Sequence, residues 1–152
     1  MANEIYVNYS SGNTLYAVIR NRQGNVWYPS GQVFEAWGTS GRDADDYDIA
    51  LTDKSGARYS GNFPTAITGA GEYGIQVFLQ SGGNPADGDE LVVGREIVWS
   101  GKAEITSEKL LANKAIQDKV SGEIEYYDDD GVTIILTLTP SDGEASITRT
   151  PS

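Results

Sequence analysis

Glu72-Tyr-Gly-Ile-Gln-Val-Phe-Leu-Gln80 decides the fold. Tyr73, Ile75, Val77 and Leu79 point one way. Glu72, Gln76 and Gln80 point the other way, with Phe78 as an apolar exception. Such alternation marks a strand with one buried face. A polar loop over 81–89 follows, and Leu91 to Trp99 reads as the return strand. Leu91, Val93, Ile97 and Trp99 form its expected inner row, interrupted by Arg95. A sheet with one apolar face needs a second layer to cover it.

The same texture extends outward in both directions. Upstream, Ile5, Val7 and Tyr9 alternate, and Ser10-Ser-Gly-Asn13 turns the chain. Leu15, Ala17 and Ile19 then alternate with Tyr16, Val18 and Arg20. Val26-Trp27-Tyr28 and Val33 to Trp37 read as short strands around Pro29. Residues 38–46 read as a loop, and Tyr47, Ile49 and Leu51 alternate beyond it. Asp53-Lys-Ser-Gly56 has the residues of a hairpin turn. Turns recur about every ten residues, as in a sandwich. Gly71-Glu-Tyr-Gly-Ile75 has the spacing of a tyrosine corner, with Ile75 at the inner position.

Past Gly101 the texture changes, which places a boundary between residues 1–101 and 102–152. Thr106 to Asn113 fits a short helix capped by Thr106 or Ser107. Leu111, Ala112, Ala115 and Ile116 would form its stripe, although 114–118 suits an extended segment equally. Glu123 to Tyr127 is a strand, and Asp130-Gly131 is a strong hairpin signal. Val132, Ile134, Leu136 and Leu138 then share one face, with Thr133, Ile135, Thr137 and Thr139 on the other. Pro140-Ser-Asp-Gly143 reads as a turn and Ala145 to Arg149 as a last strand. The predicted fold class is all-β: an antiparallel sandwich, a short helix or extended linker, and a small C-terminal meander.

Composition narrows the chemistry. The chain has 152 residues, enough for a core without disulfides. It contains no histidine and no cysteine, so Ser-His-Asp triads, cysteine nucleophiles and Cys/His zinc sites are excluded. A net charge of −11 argues against nucleic acid and anionic membrane surfaces as partners. The first residues lack the basic and apolar regions of a secretory signal, and synthesis in the cytoplasm is expected. No apolar run has transmembrane length.

Acidic side chains offer a few further readings. Asp128-Asp-Asp130 is consecutive and lacks the spacing of a calcium loop, so a solvated hairpin tip is expected. Asp87, Asp89 and Glu90 form a similar loop. Asp43, Asp45, Asp46 and Asp48 are the better metal candidate. Paired carboxylates could hydrolyse glycosides, but acids in turns are hard to bury and tune. Trp27, Tyr28 and Trp37, with Trp99, offer a surface for sugars or, by default, core packing. No cofactor is expected.

Two sets of motifs carry a resemblance. Leu15-Tyr-Ala-Val-Ile-Arg20, Val26-Trp27, Phe34-Glu-Ala36, Tyr47-Asp-Ile-Ala-Leu51, Gly71-Glu-Tyr73 and Gln80-Ser-Gly-Gly-Asn-Pro85 form the first. The set resembles an Ig-like module of tailed-phage and prophage proteins. Asn113-Lys-Ala-Ile-Gln-Asp118, Gly122-Glu-Ile-Glu-Tyr-Tyr-Asp-Asp-Asp-Gly131, Leu136-Thr-Leu-Thr-Pro140 and Ile147-Thr-Arg-Thr-Pro151 form the second. These are similar to a C-terminal phage module. The resemblance implies a non-enzymatic virion structural protein of the tail, baseplate, connector or capsid surface. Its partners would be other virion proteins and further copies of itself. It supplies no catalytic residues. The expected assembly surface is Thr133, Ile135, Thr137 and Thr139 with Tyr127. The alternative is a carbohydrate- or host-surface-binding sandwich using Trp27, Tyr28 and Trp37.

Overall fold

The computed structural model describes residues 3–143 and 146–151. The fold is all-β, with three antiparallel sheets and short helices. The chain divides into two compact units. One comprises Met1–Ile67 with Glu72–Ile97, the other Thr68–Gly71 with Val98–Ser152. The boundary expected after residue 101 therefore falls inside the second unit. Two backbone bonds explain this: Ser100 N–H donates to Ala103 O (2.8 Å) and Ile105 N–H to Val98 O (2.7 Å). They fold 98–105 back on itself.

In the first unit, β1 (Ile5–Asn8), β2 (Leu15–Asn21), β3 (Val26–Tyr28) and β4 (Val33–Glu35) precede the short helix α1 (Ala44–Tyr47). Then follow β5 (Ile49–Ala50), β6 (Thr52–Asp53), β7 (Arg58–Gly61), β8 (Gly71–Leu79) and β9 (Glu90–Trp99), of which Gly71 and Val98–Trp99 belong to the second unit. The larger sheet runs β4-β3-β2-β8-β9, with β5 also on β2, and the smaller runs β1-β7-β6. Paired residues in antiparallel strands share a face. Leu15↔Leu79, Ala17↔Val77 and Ile19↔Ile75 therefore build the inner face, as β8's alternation predicts. Ile5, Val7 and Tyr59 of the smaller sheet are buried too.

The outer face of the larger sheet is not bare. Tyr16, Val18 and Val26 pack with Ala44 and Tyr47, and Tyr28 and Phe78 lie at the margin. Phe78, the exception in the alternation, stacks on Tyr16 with ring centroids 5.4 Å apart. Strand β2 is consequently buried on both faces from Leu15 to Ile19.

Strand β9 departs from its expected inner row. Ile97 and Trp99 are buried, but Leu91 is 50% and Val93 37% exposed. The reason is position: β9 ends the sheet, and a groove of about 380 Å³ separates Val92 and Val93 from β1 of the smaller sheet. Arg95, which interrupts the row, stacks its guanidinium 4.7 Å from the Tyr6 ring centre and donates to Glu4 O (3.3 Å). These two contacts tie the middle of β9 to β1.

Tyr73, expected as the corner, lies between the rings of Phe34 and Phe63, each 5.6 Å away. A hydroxyl tie to upstream backbone is made by Tyr59. Its Oη lies 3.0 Å from Ser10 O and Asn13 O and accepts from Asn13 N–H (3.0 Å).

In the second unit, α2 (Ser107–Ala112) is followed by β10 (Ala115–Gln117), β11 (Ile124–Tyr127), β12 (Ile134–Gly143) and β13 (Ser146–Pro151), paired in that order. Thr106 caps α2 by accepting from Lys109 N–H (3.3 Å). The expected helical stripe does not form. Leu111 is exposed, and Ala115 and Ile116 belong to β10.

Asp130-Gly131 turns the β11–β12 connection, with Gly131 at φ 66°. The expected turn at Pro140 to Gly143 is strand instead. Pairing with β11 ends at Leu138, so Pro140 needs no hydrogen bond on that side and lies beside Gly122. The expected last strand begins within the undescribed pair 144–145.

Candidate functional site

Three regions of the described residues carry the predicted site residues. The first is a cleft of about 400 Å³ on the outer face of the larger sheet, lined by Arg20, Trp37, Gln76, Phe78, Ala86 and Asp87, among others. Strands β2 and β8 place Arg20 opposite Gly74, beside Gln76, and Arg20 Nε donates to Gln76 Oε1 (2.8 Å). Arg20 also lies 5.0 Å from the Trp37 ring centre, while Tyr47 packs against the same indole at 4.9 Å. Asp87 accepts from Ala44 N–H (2.9 Å) and so ties the loop to α1.

The aromatic trio is split. Trp27 is 4% exposed and packs on Phe34, so it is core rather than surface. Tyr28 is half-buried under the Arg42 guanidinium at 4.2 Å. Only Trp37 of the three reaches the cleft, and it is 37% exposed. The neighbours that decide this lie on other elements, which no local pattern encodes.

Beneath the cleft sits a polar anchor. Arg42 pairs with Glu35 through two 2.6 Å bonds, and Tyr47 Oη donates to Glu35 (2.9 Å). Arg42 holds the Glu35 carboxyl below its ordinary range. Burial raises the Tyr47 phenol. The acidic loop beside it is used locally. Asp43 and Asp46 form a reciprocal capping box on α1, and burial raises Asp48 with help from Asp45. Among the described residues no three His, Cys, Asp or Glu side chains group as metal ligands.

Asp89 organises the loop before β9. It accepts from Ser81 Oγ (2.7 Å), Ser81 N–H (3.1 Å), Ala86 N–H (2.9 Å) and Tyr16 Oη (3.1 Å). Led by the Ser81 hydroxyl, these donors pull its carboxyl down to about 2. Glu72 and Glu96 line a separate cleft, with Glu72 paired to Arg22 at 2.9 Å.

The second region is the face expected for assembly. A bulge between Tyr126 and Tyr127 shifts the register against β12. Tyr127 and Ile135 are buried, so they are unavailable as surface. Thr133 and Thr137 are half-buried and Thr139 is exposed. Ser100 and Lys102 of the folded-back segment line a pocket with Ile135 and Thr137, which accounts for the partial cover. Thr139 Oγ1 donates to Glu123 (3.2 Å).

The third region is the hairpin tip, and it also differs from expectation. Asp129 and Asp130 are exposed, but Asp128 is buried. Asp130 accepts from Thr133 Oγ1 (2.6 Å) and from the N–H groups of Val132 and Thr133, and its carboxyl falls to about 2. Asp128 faces Lys109 Nζ at 2.7 Å. Sequence reading missed this pair, since Lys109 lies in a helix whose buried side was assigned to other residues.

Set against protein-family models, curated proteins and solved structures, the chain matches none.

Proposed function

We propose that this chain is a non-enzymatic structural protein of a tailed-phage particle, working by protein–protein assembly. The phage part of the reading is supported by the resemblance of the two motif sets. The assembly part is carried by β9. This strand is ten residues long, lies at the end of its sheet and keeps Leu91 and Val93 exposed. The first half of such an edge presents apolar side chains to a neighbouring subunit, while Val98 and Trp99 are already paired with 104–105. The docking element thus moves from the threonine face of the meander to β9.

Val93→Lys tests the reading. An exposed edge substitution should change stability by no more than about 0.5 kcal/mol. Purified particles should then lack the protein although its circular dichroism is unchanged. Incorporation at the wild-type level would refute the docking role of β9.

Glycan recognition is the second reading, favoured by the cleft at Trp37. Arg20, Gln76 and Asp87 supply polar groups beside that indole. Trp27 and Trp99 are buried, so a glycan-induced change in tryptophan emission would report on Trp37. The test is a titration across neutral and acidic oligosaccharides, with Trp37→Phe as control. A flat response across the panel removes this reading.

A further inference from the structure

Lys109 and Asp128 form an unusual pair. Nζ lies 2.7 Å from Oδ1, the Asp128 side chain is fully removed from solvent, and that of Lys109 is 17% exposed. Among the described residues, neither Asp128 carboxylate oxygen accepts a hydrogen bond. An ordinary buried ion pair recovers its desolvation cost through good geometry and extra donors on the remaining lone pairs. This one has a close approach without those donors. The other two aspartates of the tip accept hydrogen bonds from neighbouring groups, so the lack is particular to Asp128.

The backbone holds both partners in place. Asp128 N–H donates to Thr133 O (2.8 Å), and Gly131 N–H donates to Asp128 O (2.8 Å). Lys109 is fixed in α2 by the Thr106 cap. Two groups held this close react as one molecule rather than two, which is worth effective molarities of about 10⁵ M or more in favourable cases. A water-poor site also favours loss of water over the reverse hydrolysis.

We propose that Lys109 and Asp128 condense into an intramolecular isopeptide bond tying α2 to the β11–β12 hairpin. Nζ passes one proton to Oδ1, the freed nitrogen lone pair forms the Lys109 Nζ–Asp128 Cγ bond, and the protonated Cγ–Oδ1 bond breaks. The departing oxygen leaves as water with two of the three ammonium protons. The third stays on the amide nitrogen. No redox change occurs and no other reactant is needed. The product is a neutral amide, so the uncompensated carboxylate disappears. A cross-link of this kind would suit a protein that bears load in an assembly.

The test is the intact mass of the full-length folded protein, followed by peptide mapping. The wild type should fall short of its sequence mass by one water, and a tryptic digest should contain a branched peptide joining Lys109 to Asp128. Lys109→Arg and Asp128→Ala should restore the full mass. Asp128→Asn should instead lose one ammonia. A wild type at full sequence mass after prolonged incubation overturns the proposal. So does a water loss that persists in Lys109→Arg, since Asp130-Gly131 can also dehydrate as a succinimide. The branched peptide is read on the wild type, so the proposal stays testable even where a variant does not fold.

Discussion

Asp89 and Asp128 are both buried aspartates, one in each unit, and they are held in opposite ways. Asp89 accepts from two hydroxyls and two backbone amides. Asp128 has one ammonium nearby and no hydrogen-bond donor on its carboxylate. The first arrangement is dispersed: four donors share the charge. The second is concentrated in a single contact. A dispersed site organises a loop, whereas a concentrated one either stores desolvation cost or resolves it by chemistry.

The largest expected effect comes from breaking the concentrated site. Lys109→Met leaves Asp128 a buried carboxylate with neither an ammonium nor an amide bond to offset its charge, and removal of one partner from a buried pair costs about 3–5 kcal/mol. Chemical denaturation should show the loss. A change below about 1 kcal/mol would mean that the hairpin opens to water easily, and the contrast with Asp89 would fail. Gly101→Ala should come next. Gly101 has φ 90°, and a Cβ there would stand 2.5 Å from Thr68 O. Gly131 has φ 66° with open space around it. Its alanine variant should lose only the roughly 1–2 kcal/mol of left-handed strain. Gly101→Ala should exceed that in the same denaturation series, because backbone must move as well. Equal losses would show that the folded-back segment yields freely.

The three consecutive aspartates show how far the sequence could be read. Their identity marks a turn, and the Asp130-Gly131 hairpin follows from that chemistry alone. Their fates do not follow. Asp130 caps its own turn, Asp129 accepts from Asn113 Nδ2 (2.8 Å), and Asp128 turns inward to a lysine nineteen positions earlier. Local period gave β2 and β8 correctly because each side chain's direction is set by its neighbours in the strand. It misread β9, since the exposure of Leu91 and Val93 depends on which strand ends the sheet. It misassigned the meander face for a related reason. The bulge at Tyr126 and Tyr127 breaks parity, and Ile135 and Tyr127 are buried. Trp27 and Trp37 looked alike in sequence, and only their partners on other elements separate them. What was legible was local and periodic, and what was not depended on contacts between distant segments.

The smallest effect is one of pH, and it sharpens the comparison from the other side. Asp89 is held at about 2 in the folded protein, against an ordinary aspartate value near 4. A lowered folded-state value contributes stability that is complete above about pH 4 and is lost as pH falls toward 2. Asp130 behaves in the same direction with the same folded value. Acid should therefore weaken the protein between about pH 4 and pH 2 through both groups. Asp89→Asn should flatten part of that slope while leaving the share from Asp130, and Asp130→Asn should do the converse. Tyr16→Phe removes a single donor, so it should shift the Asp89 share to slightly higher pH without abolishing it. Thermal midpoints measured from pH 5 to 2 on the four proteins provide the readout. A Tyr16→Phe curve as flat as that of Asp89→Asn would mean that one hydroxyl carries the whole interaction. Asp89 would then be as concentrated a site as Asp128.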